Sequence, residues 1–106
     1  MQRVLVTCLF SVTAWAQLAT TTALVGNVSD SAGALVAGVA ITAVDEGTSE
    51  SYSAVTTGDG YYSIQFIKPG TYAITASIKG FETVKKTGII VATNQIVRTD
   101  FTMKVG

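Results

Sequence analysis

Residues 56–72 read TTGDGYYSIQFIKPGTY, and the fold turns on how this stretch is parsed. Thr57-Gly58-Asp59-Gly60 has the chemistry of a tight turn. Glycine takes positive φ without steric penalty, and aspartate bonds neighbouring backbone N–H groups. Lys68-Pro69-Gly70 is a second turn, with proline presetting φ and glycine following it. Between the two, Tyr61 to Ile67 alternates, with Tyr62, Ile64 and Phe66 on one face and Tyr61, Ser63 and Gln65 on the other. A period of two is the period of a β-strand. The stretch therefore reads as a hairpin-like device, one strand between two turns, with Tyr62, Ile64 and Phe66 directed inward. Asp59 would serve a metal only alongside several more oxygen ligands, so the Gly-Asp-Gly context is read as structural.

Outward from this strand the same grammar repeats. Ala23 to Val28 is a first apolar, β-branched segment, closed by Ser29-Asp30-Ser31-Ala32-Gly33. Gly38 to Val44 follows, with Val39, Ile41 and Ala43 in phase, and then the polar, tyrosine-bearing segment Glu50 to Thr57. Thr71 to Ile78 alternates with Tyr72, Ile74, Ala76 and Ile78 on one face. Ile96 to Val105 is the last long element, with Val97, Phe101 and Met103 opposite Arg98, Asp100 and Lys104. No window sustains a helical period, and the single proline, Pro69, lies in a turn where its missing N–H breaks no ladder. Short alternating strands separated by turn residues predict an all-β, seven-stranded antiparallel β-sandwich. The expected core is Val28, Val39, Ile41, Tyr62, Ile64, Phe66, Tyr72, Ile74, Phe81, Val97 and Phe101.

The first sixteen residues, MQRVLVTCLFSVTAWA, are of a different kind. Arg3 precedes an apolar run, and Ala14-Trp15-Ala16 supplies the small–x–small pattern of a signal-peptidase site. The run is too short to span a bilayer, which takes about 20 apolar residues. Residues 1–16 are therefore expected to be a signal peptide, 17–22 a flexible lead-in and 23–105 the folded domain. The expected location is the periplasm, the outer membrane or the extracellular space, with no transmembrane segment in the mature chain. Cys8, the only cysteine, leaves with the leader, so the domain is expected to hold together without a disulfide. The whole chain balances seven basic against seven acidic residues, and losing Arg3 leaves a net charge of −1. Nothing in that balance supports nucleic-acid binding.

Catalysis can be weighed by subtraction. The chain has no histidine, so Ser–His–acid and Cys–His machinery are excluded, as is a zinc site of the ordinary ligand type. Asp45, Glu46 and Glu50 are the remaining candidates for paired carboxylates. They are expected on an exposed turn, solvated and without a raised pKa. An intramolecular isopeptide bond needs a lysine on the first strand and an asparagine on the last. The first lysine is Lys68 and the segment from Ile96 contains no asparagine, so that chemistry is excluded too. The expectation is no enzyme, no cofactor and no metal.

Five motifs fall in a distinctive order: Gly26-Asn27-Val28-Ser29-Asp30, then Gly33-Ala34-Leu35-Val36-Ala37-Gly38-Val39, Thr57-Gly58-Asp59-Gly60-Tyr61-Tyr62, Pro69-Gly70-Thr71-Tyr72 and Lys79-Gly80-Phe81. Together they resemble the carboxypeptidase regulatory-like domain, a transthyretin-like (prealbumin-like) sandwich, in the version found at the N-terminus of TonB-dependent outer-membrane receptors. The resemblance spans residues 23–105 and departs at Ala37, where many relatives have proline. It implies a non-catalytic extracytoplasmic accessory module, acting in structural support or protein contact. In such receptors a plug and a barrel follow. Here the sequence given stops at Lys104-Val105-Gly106, where a plug would begin, so a fragment or a domain exported alone is expected. The absence of histidine sets it apart from transthyretin-like hydrolases. The alternative is a free-standing secreted carbohydrate-binding module, for which Tyr52 and Tyr61 are the candidate ligand contacts. The partners implied are receptor components or a polysaccharide, with the domain itself a monomer. The segments Glu50–Thr57 and Glu82–Thr87 are the expected sheet edges, the second guarded by Lys85 and Lys86.

Overall fold

Two four-stranded sheets face each other across a single apolar layer in the computed structural model, which describes residues 21–106. The expected leader and most of the lead-in lie outside the described residues. The strands are β1 (Ala23–Asp30), β2 (Ala40–Asp45), β3 (Ser51–Val55), β4 (Tyr61–Gln65), β5 (Gly70–Ser77), β6 (Val84–Val91), β7 (Ile96–Arg98) and β8 (Phe101–Met103). The first sheet runs β4-β1-β7, with β8 also paired to β1, and the second runs β3-β2-β5-β6.

The all-β sandwich matches the reading of the sequence. The element expected over Ile96–Val105 is interrupted at Thr99-Asp100, so the seventh strand is present as two halves, β7 and β8. Both halves pair with β1 in parallel, Leu24 with Val97 and Val28 with Phe101. Every other pairing is antiparallel. At the interruption Thr99 N–H still donates to the Val25 carbonyl at 2.8 Å. The Asp100 carboxylate then takes the place of a backbone acceptor for Asn27 N–H, also at 2.8 Å. A side chain thus completes the ladder where the backbone turns aside.

The core is formed by Leu24, Val28, Val39, Ile41, Tyr62, Ile64, Ile67, Tyr72, Ile74, Phe101 and Met103, all buried, with Phe81 and Val97 partly buried against them. Phe66 corrects the expectation. The alternation of Tyr62 and Ile64, extended, places it inward, yet it is 69% exposed. The strand ends at Gln65, and Phe66 adopts φ 60°, a left-handed conformation that reverses the sense of the alternation. Ile67 enters the core in its place. The segment after Gln65 is therefore not the second arm of a hairpin. It carries the chain across from the first sheet to the second, and β4 pairs with β1 instead.

Left-handed backbone costs about 1–2 kcal/mol for a residue with a Cβ, while asparagine tolerates it. Phe66→Asn is therefore expected to keep the thermal midpoint or raise it, by up to about 1 kcal/mol of stability. A loss of more than that in a thermal melt would mean that the Phe66 ring packs in the folded state.

The second sheet has two unlike edges. β3, the polar edge anticipated from Glu50–Thr57, carries no charge between Ser51 and Val55 and runs in unbroken register with β2. β6 carries Lys85 and Lys86, and its register against β5 shifts between Tyr72 and Ile74. Lys86 does more than guard this edge. Its Nζ donates to the Asp100 carbonyl at 2.6 Å and sits 5.1 Å from the centre of the Phe101 ring, closing the side of the sandwich.

Candidate functional site: an aromatic trough on the outer sheet face

The outward residues of the first sheet are set by the pairing. Gln65, Ala23 and Ile96 lie in one row across β4, β1 and β7, and Ser63, Val25 and Arg98 lie in the next. The central strand contributes the small side chains Ala23 and Val25, while its neighbours contribute larger ones. A sheet with a low middle strand and tall flanks has a trough, and here it measures about 430 Å³. Tyr61, Ser63, Gln65 and Phe66 make one wall, Ile96 the other, and Thr21 and Thr22 close one end.

That end is held firmly. Thr22 Oγ1 accepts from Asn94 N–H at 2.8 Å, and the Thr22 carbonyl accepts from Ile67 N–H at 3.3 Å. Gln65 Nε2 donates to Ser63 Oγ at 3.2 Å, which fixes the polar strip of the wall. Beside Val25, Arg98 donates to the Asn27 side-chain oxygen and pairs with Asp100 at 3.2 Å, so its charge is matched locally. Among the described residues no acidic or basic one lines the trough. Ile96 and Phe66, 62% and 69% exposed, are among the largest exposed apolar side chains described.

The two tyrosines singled out from the sequence are not brought together. Tyr61 stands on the trough wall. Tyr52 pairs with Ala43 in register and packs inward, its ring edge-on to Tyr72 with centroids 6.1 Å apart. Its hydroxyl oxygen accepts from Lys68 N–H at 3.3 Å, and the Tyr72 hydroxyl donates to the Lys68 carbonyl at 2.5 Å. The two inward tyrosines therefore clamp the crossover from behind, two residues after Phe66. Sequence reasoning missed Phe66 and Ile96 as surface features. The signal for Phe66 was present in Phe66-Ile67: of two adjacent bulky apolar residues at a strand exit, only one can point inward.

Burial raises the pKa of both buried tyrosines. Desolvation, then repulsion from Tyr52 and Asp45, pushes Tyr72 up to about 12. Desolvation, then Asp100, raises Tyr62 further. Because the folded-state values lie above the unfolded value of 10.0, their contribution to stability is complete below pH 10. It is lost as pH rises through the folded values. Alkaline titration is thus expected to show phenolate absorbance from these tyrosines appearing above pH 10 together with loss of the β-sheet circular dichroism signal. Full ionisation of all tyrosines with the sheet signal intact would contradict their burial.

The carboxylates considered for catalysis have structural partners. Asp45 is buried rather than solvated, because its Oδ1 accepts from Gly47 and Thr48 N–H at 2.8 and 3.1 Å and so folds the β2–β3 turn over itself. Glu46 accepts from Gly88 N–H at 2.9 Å, and Glu50 pairs with Lys68 at 3.4 Å. Among the described residues no three His, Cys, Asp or Glu side chains are grouped to hold a metal ion. No helix among the described residues is long and apolar enough to cross a membrane.

Comparison with solved structures finds the same sandwich in varied settings. A type II cohesin–X-dockerin complex from Acetivibrio cellulolyticus matches at 24% identity and TM-score 0.61, over 80% of this chain and 58% of that one. A protein provisionally described as carbohydrate binding, from Bacteroides uniformis, matches at 22% identity and TM-score 0.62, over 76% and 40%. The full-length major pilin SpaD of Corynebacterium diphtheriae matches at 15% identity and TM-score 0.63, over 80% and 30%. At these identities the likeness is one of fold alone, and the chain spans just over half the length of the first of them. No curated protein matches the chain. The model of the carboxypeptidase regulatory-like domain matches residues 23–104, from the first residue of β1 to just beyond β8, and the chain belongs to that family.

Proposed function

We infer that this domain is a non-catalytic accessory module working outside the cytoplasm, as the N-terminal domain of a TonB-dependent outer-membrane receptor, and that it acts by non-covalent contact. One observation carries the contact reading: the outer face of the first sheet holds an uncharged, solvent-open trough, while Asp45, Glu46 and Glu50 are engaged in turn hydrogen bonds and an ion pair. The receptor setting draws its support from the order of the five motifs and from the family to which they belong. The leader-like segment over 1–16 supports export.

A second reading, a free-standing secreted carbohydrate-binding module, is favoured by Tyr61 and Phe66 on one wall of the trough. Immunoblotting of fractionated cells, with an antibody against residues 23–105, separates the two. A band in the outer-membrane fraction, much heavier than this 106-residue chain, is the expected result. A band at the chain's own size in the periplasm or medium would replace the first reading by the second. A band confined to the cytoplasm would overturn both.

A further inference from the structure

Phe66 is held where a bulky residue gains nothing for the fold. Three non-glycine residues among those described have positive φ: Ser49, Phe66 and Asn94. Ser49 and Asn94 are small polar residues in turns. Asn94 is also of a type that tolerates this conformation, and its side-chain oxygen accepts from Thr21 N–H at 3.4 Å. Phe66 has neither excuse: its ring is largely in solvent. Strain of this kind, kept at a surface by the structure around it, is characteristic of ligand clamps. The surroundings here are specific, since Tyr52 and Tyr72 grip Lys68 on either side of its peptide and hold the crossover in place.

We propose that the trough between β4 and β7 binds a neutral glycan chain, with Phe66 and Tyr61 as stacking platforms and Gln65, Ser63 and Thr21 as hydrogen-bonding partners. The proposal rests on the contact reading above and names the ligand of that same surface. Tyr61 and Gln65 mark out roughly 13 Å of strand, the length of a short run of sugar units, and Phe66 extends it. Sugar rings present apolar C–H faces to aromatic side chains and hydroxyl groups to amides and hydroxyls. The wall offers both in one line.

The competing occupants are disfavoured by the same geometry. An extended peptide would seek free backbone groups, as it does at a sheet edge. The trough floor is β1, which is paired on both sides. A nucleic acid or an acidic polysaccharide would need cations, and the described lining residues include none. The nearby Arg98 is already matched by Asp100.

The test is affinity electrophoresis of the full chain through native gels containing amylose, hydroxyethylcellulose, xylan or galactomannan, with polygalacturonate as the anionic comparison. Retardation is expected in at least one neutral gel and not in polygalacturonate. Phe66→Asn and Tyr61→Ala should each weaken retention at least about tenfold. The thermal midpoint of Phe66→Asn should stay unchanged or rise, which separates lost binding from lost folding. Retention by no neutral gel, stronger retention by polygalacturonate, or undiminished retention of Phe66→Asn would each overturn the proposal. A wild-type chain that no neutral gel retains, but that fractionates with the outer membrane, would remove the glycan and leave the accessory-module reading standing. Retention by a neutral gel with the protein confined to the cytoplasm would do the reverse.

Discussion

Gly26→Ala is expected to be the most damaging single-methyl change in the domain. Gly26 sits in β1, the central strand of the first sheet, with ordinary strand backbone, so the difficulty is one of space. A Cβ there would lie 2.0 Å from the Thr99 carbonyl oxygen and 2.8 Å from Cε2 of Tyr62. Neither neighbour can yield. Thr99 is buried and tied to β1 through the Val25 carbonyl, and its own carbonyl accepts the Tyr62 hydroxyl at 2.6 Å. Tyr62 is itself buried, against Phe101 with ring centroids 6.3 Å apart. To admit the methyl, β7 and β8 must move off β1, breaking the parallel pairing on both sides of Thr99-Asp100. Overpacking against side chains costs about 1–3 kcal/mol, and against fixed backbone more. A loss of about 3 kcal/mol or more lowers the midpoint of a domain this size by on the order of 15 °C. Thermal denaturation followed by circular dichroism measures it. A midpoint within a few degrees of the wild type would mean that the β1–Thr99 approach is looser than described.

Ile74→Ala should come next, at roughly 2–5 kcal/mol. Ile74 lies on β5 between Ala43 on β2 and Lys86 on β6, fully buried in the layer between the sheets. Its removal leaves a cavity that two laddered neighbours prevent from collapsing. Domains of this size are stable by only about 5–15 kcal/mol in total, and no cysteine lies in the described residues to restrain the unfolded chain. Urea denaturation should show a lower midpoint with an unchanged slope. The companion variant Phe66→Ala, identical in kind and opposite in setting, should lose little. If the two variants lost equal stability, the assignment of Ile74 inside and Phe66 outside would fail.

Ile74 and Phe66 also show where sequence reasoning succeeds and where it stops. Ile74 is flanked in phase by Tyr72 and Ala76 inside one uninterrupted strand, so alternation alone places it inward, and it is inward. Phe66 continues the phase of Tyr62 and Ile64, but it lies one residue past the end of β4. Alternation is a property of extended backbone. It carries no information once a residue turns left-handed, and the only local mark of the change of phase is the adjacency of Phe66 and Ile67. Ile96–Val105 failed in a related way. Its inward residues Val97, Phe101 and Met103 were read correctly, but the interruption at Thr99-Asp100 arises from the meeting with Gly26, seventy-three residues earlier in the chain.

The sequence alone determined the class of this domain. Turn chemistry and a two-residue period are local, and short alternating segments without a helical window leave little besides a sandwich. It also settled which side chains the domain has for chemistry, because that is a matter of inventory. Only the tertiary structure decided the surface. Whether Tyr61 and Phe66 share one trough, whether Tyr52 faces solvent or clamps a crossover, and whether Asp45 is solvated or folded into its own turn all depend on register and on strand order. Those are set by contacts between residues far apart in the chain. A trough exists here because β1, small-sided at Ala23 and Val25, is placed between β4 and β7, and no local pattern specifies which strand becomes the middle one.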